Sequence, residues 1–203
     1  NSSHTLSDLR FGDFGWCQFN SGNAEGYDFL YNSPVLIDHL RNEGFDIILL
    51  DFKKGATYIQ ENAAVLKELL QRINSYKIGK EPIILAGASM GGQVTRYALS
   101  SMDNNGEEHC VSLWISLDSP HKGANIPLGF QEMLQDLADN PNPQYAEVQE
   151  QLANTLNRPA ARQMLIHQRP GYSLFNTYFN ELESLGFPRE VMSYGIANGS
   201  GEA

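Results

Sequence analysis

Ile83-Ile84-Leu85-Ala86-Gly87-Ala88-Ser89-Met90-Gly91-Gly92-Gln93-Val94 is the stretch on which the fold turns. Its first part, an apolar run from Pro82 to Ala86, predicts a strand. The run enters a G-x-S-x-G turn at Gly87, and a helix leaves it with Val94, Ala98 and Met102 as its buried stripe. The pentapeptide alone is a weak signal in a chain with 18 glycines. A strand running in and a helix running out make it a strong one. Such a turn needs glycine on either side of the serine, because side chains there would collide with neighbouring backbone. It lifts the Ser89 hydroxyl clear of the sheet edge and sets it at a helix N-terminus, where N–H groups and the helix dipole favour developing negative charge. Ser89 is the candidate nucleophile, and the Met90 backbone N–H is one oxyanion donor. The plainer alternative is a Gly-rich turn in which Ser89 only caps the helix.

Outward from the turn the chain alternates between two periods. Ser33 followed by Pro34 starts a helix that Gly44 ends. Phe45 to Leu50, apolar except for Asp46, predicts a strand ending at Asp51. Ile59, Ala63, Leu66, Leu70 and Ile73 lie on one helical face. Val111 to Leu117 predicts a third strand, ending in Asp118-Ser119-Pro120-His121-Lys122-Gly123. This order means βαβ units with right-handed crossovers, an α/β fold with a mostly parallel sheet and helices on both faces. Residues 28–123 form its core. Residues 124–187 break the rhythm: Phe130, Met133, Leu134 and Leu137 make one helical face, and Tyr145, Val148, Leu152 and Leu156 make another. A third short helix starts at Pro159, so the stretch predicts a helical cap or lid. Residues 188–203 hold a return strand, Glu190 to Ala197, and residues 1–27 read as an irregular loop rich in Gly, Ser, Asn and aromatics.

At 203 residues the chain has one domain's length, and 41 % hydrophobic against 19 % charged residues, with 10 Phe and 9 Tyr, excludes a disordered chain. The balance of 14 basic and 24 acidic residues gives a net charge of −10, which repels phosphate backbones, so nucleic acid is excluded as a partner. No apolar run approaches the roughly 20 residues of a transmembrane segment. Cys17 and Cys110 match no metal spacing; a disulfide in a secreted protein and two buried thiols both remain open. The sequons Asn1-Ser2-Ser3 and Asn198-Gly199-Ser200 matter only in a glycosylating secretory pathway. A start at Asn1 without Met reads as an excised piece or a processed form. Nothing in the composition speaks to oligomeric state.

Gly87-Ala88-Ser89-Met90-Gly91-Gly92-Gln93-Val94-Thr95-Arg96-Tyr97-Ala98 resembles the nucleophile elbow of the α/β-hydrolases, closest to the lipase and esterase branch, where Gly-Gly-x-x-x-Arg-Tyr often follows the serine. Asp118 to Ala124 is similar to the lipase loop that commonly reads Pro-His-x-Gly, and Pro159 to Leu165 and Ile196 to Ser200 resemble secreted esterases with a helical cap. The resemblance implies that the strands here are numbers four to seven of the family's eight, a truncated version of the fold. It implies a serine hydrolase that cleaves carboxylic esters through an acyl-enzyme on Ser89, on a small-molecule or lipid ester, with no metal or organic cofactor. A deacylase acting on a lipid-anchor acyl group is a variant within this class, and a peptidase or thioesterase is a weaker one.

The family's chain order is serine, acid, histidine. Asp118 stands where pancreatic-type lipases carry the acid; its alternative is a turn-forming residue ahead of Ser119-Pro120. The family's catalytic histidine follows the last strand, which would lie beyond residue 203. His121 is a minor candidate whose family counterpart shapes the loop, His167 reads as a packed or cap-surface residue, and His4, His39 and His109 are not candidates. The second oxyanion donor normally precedes the helix at Ser33; Gly22, Gly26 or the backbone near Tyr27 would replace it only if that loop folds back. Leu128, Phe130, Met133, Leu134 and Leu137 would line an acyl pocket under the lid, or merely pack on the sheet. A reading different in kind is a catalytically incomplete hydrolase-fold fragment or a non-enzymatic binding domain.

Overall fold

A computed structural model describes residues 34–146, 149, 156–168, 171 and 173–199, the side chains of 34–37 excepted. The loop at 1–27, Cys17, the Ser33 cap, the candidate donors Gly22, Gly26 and Tyr27, His4, and Val148 and Leu152 of the second cap face lie outside the described residues. So do Ser200 and the first sequon.

The chain divides into two units, Asn1–Lys53 and Lys54–Ala203. In the first, helix α1 (Pro34–Asn42) ends where Gly44 takes φ 91, with its N–H on the Arg41 carbonyl and that of Phe45 on the Leu40 carbonyl, both at 3.0 Å. The expected strand at 45–50 is not formed. An apolar run becomes a strand only when a neighbour pairs with its N–H and C=O groups, and among the described residues none does. Phe45 and Ile48 are 46 % and 38 % exposed.

The second unit runs α2 (Ile59–Tyr76), β1 (Ile83–Ala88), α3 (Met90–Asn105), β2 (Val111–Leu117), α4 (Leu128–Ala138), α5 (Pro159–Met164), α6 (Phe175–Leu185) and β3 (Met192–Ile196), with a 3₁₀ turn at Pro143–Tyr145. The strands form a parallel sheet in the order β1-β2-β3. This is the mostly parallel sheet with helices that the periodicity predicts, in a three-stranded form consistent with a truncated fold.

Successive residues of a strand face opposite ways, and the register sorts them. Leu85, Gly87, Trp114, Ser116, Ser193 and Gly195 share one face. Helix α3 covers it, with Trp114 Nε1 donating to Thr95 Oγ1 at 2.8 Å. Helix α2 packs on α3, and Ile59, Ala63, Leu66, Leu70, Val94, Ala98, Leu99 and Met102 are buried there. Each large side chain so buried contributes about 1.5–3 kcal/mol. The other face carries three in-register apolar rows: Ile84, Leu113, Met192; Ala86, Ile115, Tyr194; and Ala88, Leu117, Ile196. Among the described residues its outer strand is uncovered, with Tyr194 and Ile196 57 % and 56 % exposed.

The end of the 124–187 stretch is joined to this body. Helix α6 packs on α3, Tyr178 stacking on Tyr97 at 6.5 Å between ring centres, with Tyr178 and Leu182 buried. A polar network ties four helices together. Glu181 of α6 accepts from the Tyr97 hydroxyl of α3 and from Gln60 Nε2 of α2 at 2.8 Å. Gln163 of α5 donates to Gln60 Oε1 at 2.7 Å and accepts the Ile59 N–H at 2.8 Å. Burial, then the Glu181 carboxylate, pushes the Tyr97 phenol far up, so it stays a donor.

Candidate active site

One residue separates β1 from α3, and it is Ser89, at φ 51 and ψ −120. A non-glycine residue there costs of order 1–3 kcal/mol and persists only when its surroundings impose it. The imposed bonds are visible. The Ser89 N–H donates to the Leu117 carbonyl at 2.8 Å, and its own carbonyl accepts the Gly92 N–H at 3.1 Å. The side chain makes no cap hydrogen bond, so the hydroxyl is not spent as a helix cap. Ser89 is exposed, and Met90 supplies the first N–H of α3, a group without an intrahelical acceptor.

The glycines divide unexpectedly. A Cβ at Gly87 would stand 2.4 Å from the Gly91 carbonyl oxygen, the collision the sequence predicts. At Gly91 a Cβ would meet nothing within 4 Å. The second crowded position is Gly92, where it would lie 1.8 Å from Ser119 Oγ, 2.6 Å from Ser119 Cβ and 2.7 Å from Ser116 Oγ. The expectation of a collision at Gly91 is therefore corrected: Gly92 is the residue that lets the loop after β2 press against the start of α3.

Asp118 follows β2 as Ser89 follows β1. Since Ala88 pairs with Leu117, both residues lie one step past the ladder, at the carboxyl edge of adjacent parallel strands. Asp118 also has positive φ, 46. Its N–H donates to the Ile196 carbonyl at 2.6 Å, and its carboxylate accepts from Asn198: Oδ1 from the backbone N–H at 3.2 Å and Oδ2 from Nδ2 at 3.3 Å.

His121 is held elsewhere. Its Nε2 is 2.7 Å from Ser116 Oγ, on the sheet face that α3 covers, and its ring meets Trp114 and Phe187 edge-on at 5.6 and 5.7 Å. Burial, and after it the Arg96 guanidinium, lowers its pKa to about 4, so the ring is neutral at pH 7. His109 bridges Asp103 and the Val111 N–H at 3.2 and 2.9 Å, while His39 and His167 are exposed.

A family model of the PGAP1-like alpha/beta domain matches residues 50–173, more than half of the chain. The chain belongs to that family. It is thereby a member of the α/β-hydrolase superfamily. Searches of the curated proteins and of the solved structures give no significant match.

Within this PGAP1-like domain, Arg96 is the functional neighbour that sequence reasoning did not single out beyond its motif. It is 1 % exposed, yet it donates to the carbonyls of Gly186 at 3.0 Å, Leu182 at 3.3 Å and His121 at 3.4 Å, and to Glu183 at 2.9 Å. Its guanidinium also lies 3.7 Å over the centre of the Phe187 ring. One side chain of the elbow helix so fixes both the loop after β2 and the end of α6. Its sequence signals were its place in Gly-Gly-x-x-x-Arg-Tyr and a charge set beside the apolar stripe Val94, Ala98, Met102. Asn198, read as part of a sequon, is the other residue missed; its meeting with Asp118 depends on β3 pairing with β2.

Helix α4 of the expected lid buries none of its residues. Leu128, Phe130 and Met133 are 44 %, 50 % and 48 % exposed, and Leu134 and Leu137 are half-buried. Gln131 anchors the helix, donating to the carbonyls of Ile126 and His167 at 2.8 and 2.9 Å. Cys110 is a free thiol, half-buried, its pKa raised chiefly by burial and then by Glu108. Among the described residues, no helix is long and apolar enough to cross a membrane.

Proposed function

We propose that the domain is a serine hydrolase that cleaves carboxylic esters through an acyl-enzyme on Ser89. The observation that supports it most is the backbone of Ser89. Backbone strain of this kind, φ 51, clusters at active sites, and here the hydroxyl is exposed and not used as a cap. Ser89 Oγ attacks the acyl carbonyl, the oxyanion forms against the Met90 N–H, and the alcohol leaves. Water then attacks the acyl-enzyme, releases the acid and restores the hydroxyl. The Ser89 proton passes to a histidine that the chain order serine, acid, histidine sets after Asp118, and from it to the leaving alcohol; Asp118 is the acid that orients this imidazole. Residues 28–123 serve as core, 124–187 as cap and 188–203 as return strand. The exposed apolar side chains of α4 suit the acyl chain of a small-molecule or lipid ester.

A fluorophosphonate probe tests the reading. It should label the folded chain at Ser89, and Ser89→Ala should abolish both labelling and turnover of a short-chain p-nitrophenyl ester. A folded chain that takes no label would refute it. One observation favours a second reading, a hydrolase-fold domain without turnover: the rings of His109 and His121 are engaged by Asp103 and Ser116. The same experiment separates the two.

A further inference from the structure

We propose that Asn198 is a positioning residue that sets the Asp118 carboxylate; the inference rests on the reading of Asp118 as the acid. Asp118 is the first residue beyond β2, and its left-handed φ turns it away from the direction of the strand. A carboxylate at an exposed strand tip swings between rotamers unless something holds it. Here one residue holds both oxygens. The Asn198 backbone N–H is 3.2 Å from Oδ1 and its Nδ2 is 3.3 Å from Oδ2. The grip is built into the sheet. Pairing of Leu117 with Ile196, and the Asp118 N–H on the Ile196 carbonyl, bring Asn198 to that carboxylate whenever β3 docks on β2.

An ionised carboxylate has about four acceptor positions, so two donors from Asn198 leave room for an imidazole N–H. Asn198 thus fixes the plane in which the imidazole is met. An aspartate in its place would turn the side-chain donor into an acceptor and set two like charges together.

The full chain is assayed on p-nitrophenyl butyrate as wild type, Ser89→Ala, Asn198→Ala, Asn198→Gln and Asn198→Asp. Asn198→Ala should lower kcat about tenfold, the loss of one hydrogen bond to a charged group at an exposed site, with KM changed less than twofold. Asn198→Gln, which keeps the amide, should recover part of the loss, and Asn198→Asp should lose more than Asn198→Ala. Asn198 is exposed, so each variant should melt within a few degrees of wild type; if Asn198→Ala does not fold, the near-isosteric Asn198→Asp decides alone. Turnover that depends on Ser89 while kcat of the Asn198 variants stays that of wild type overturns the role of Asn198 and spares the proposed function. Wild-type chain without Ser89-dependent turnover overturns both.

Discussion

Substituting alanine in turn at Gly87, Gly91 and Gly92 tests the geometry of the elbow directly. At Gly87 the new methyl would stand 2.4 Å from a backbone oxygen that belongs to the start of α3, which cannot rotate aside. The strand and helix must separate, and the cost should reach the upper end of overpacking, about 3 kcal/mol. At Gly92 the nearest atom, Ser119 Oγ at 1.8 Å, can turn away, but Ser119 Cβ at 2.6 Å moves only with the loop. Overpacking of about 2–3 kcal/mol is offset there by about 1 kcal/mol of helix propensity, leaving a net loss of about 1–2 kcal/mol. At Gly91 the methyl enters open space, and the smaller backbone freedom of the unfolded chain should leave the protein unchanged or stabilised by about 0.5 kcal/mol. Urea unfolding followed by far-UV circular dichroism, compared at a common m-value, resolves differences of this size. The expected order of stability is Gly91→Ala, wild type, Gly92→Ala, Gly87→Ala. Loss at Gly91 equal to or above that at Gly92 would refute the account of the elbow.

Ser89→Gly should abolish ester turnover yet raise stability by about 1 kcal/mol by releasing the strained φ; a urea midpoint at or below wild type would contradict the strain. Arg96→Met keeps the buried stem but strips the carbonyls of Leu182, Gly186 and His121 of their donor, at a cost of about 3 kcal/mol; a loss under about 1 kcal/mol would show that α6 is held by packing alone. His121 is neutral down to about 4 in the folded chain, whereas the unfolded imidazole protonates near 6.5. Between these values the unfolded state binds more protons, so stability is flat above about pH 6.5 and falls as pH drops toward 4, by about 2 kcal/mol after allowance for the partly exposed ring. The difference in urea midpoint between wild type and His121→Gln should carry that slope, and a pH-independent difference would sink the assignment. Asp118→Asn should lower kcat by orders of magnitude on a p-nitrophenyl ester; activity within a few-fold of wild type would remove Asp118 from the site.

Much of the second unit was legible because its signals are local. Ile59, Ala63, Leu66 and Leu70 announce a helix through spacing alone, and β1, α3 and β2 follow from apolar runs broken by glycine. The seat of Ser89 was legible too, since a strand, a glycine turn and a helix in succession leave little choice of where the serine stands. Phe45 to Leu50 shows the limit: its composition is that of a strand, but strand formation needs a partner's hydrogen bonds, which no run of residues contains. Helix α6 had a readable face in Phe175, Tyr178, Phe179 and Leu182, hidden by the prolines and glycines that precede it.

The sequence by itself therefore determined the alternation of elements, the turn at Ser89 and the acidic surface, because propensity, periodicity and charge act over a few residues. Only the tertiary structure decided which glycine the elbow needs, that His121 serves Ser116, that Arg96 joins α3 to α6, and that Asn198 grips Asp118. Each of these pairs atoms that are remote in the chain or belong to different elements. Their meeting depends on the register of β2 with β1 and β3 and on the seating of α6 against α3, and both are set by the summed packing of the whole unit.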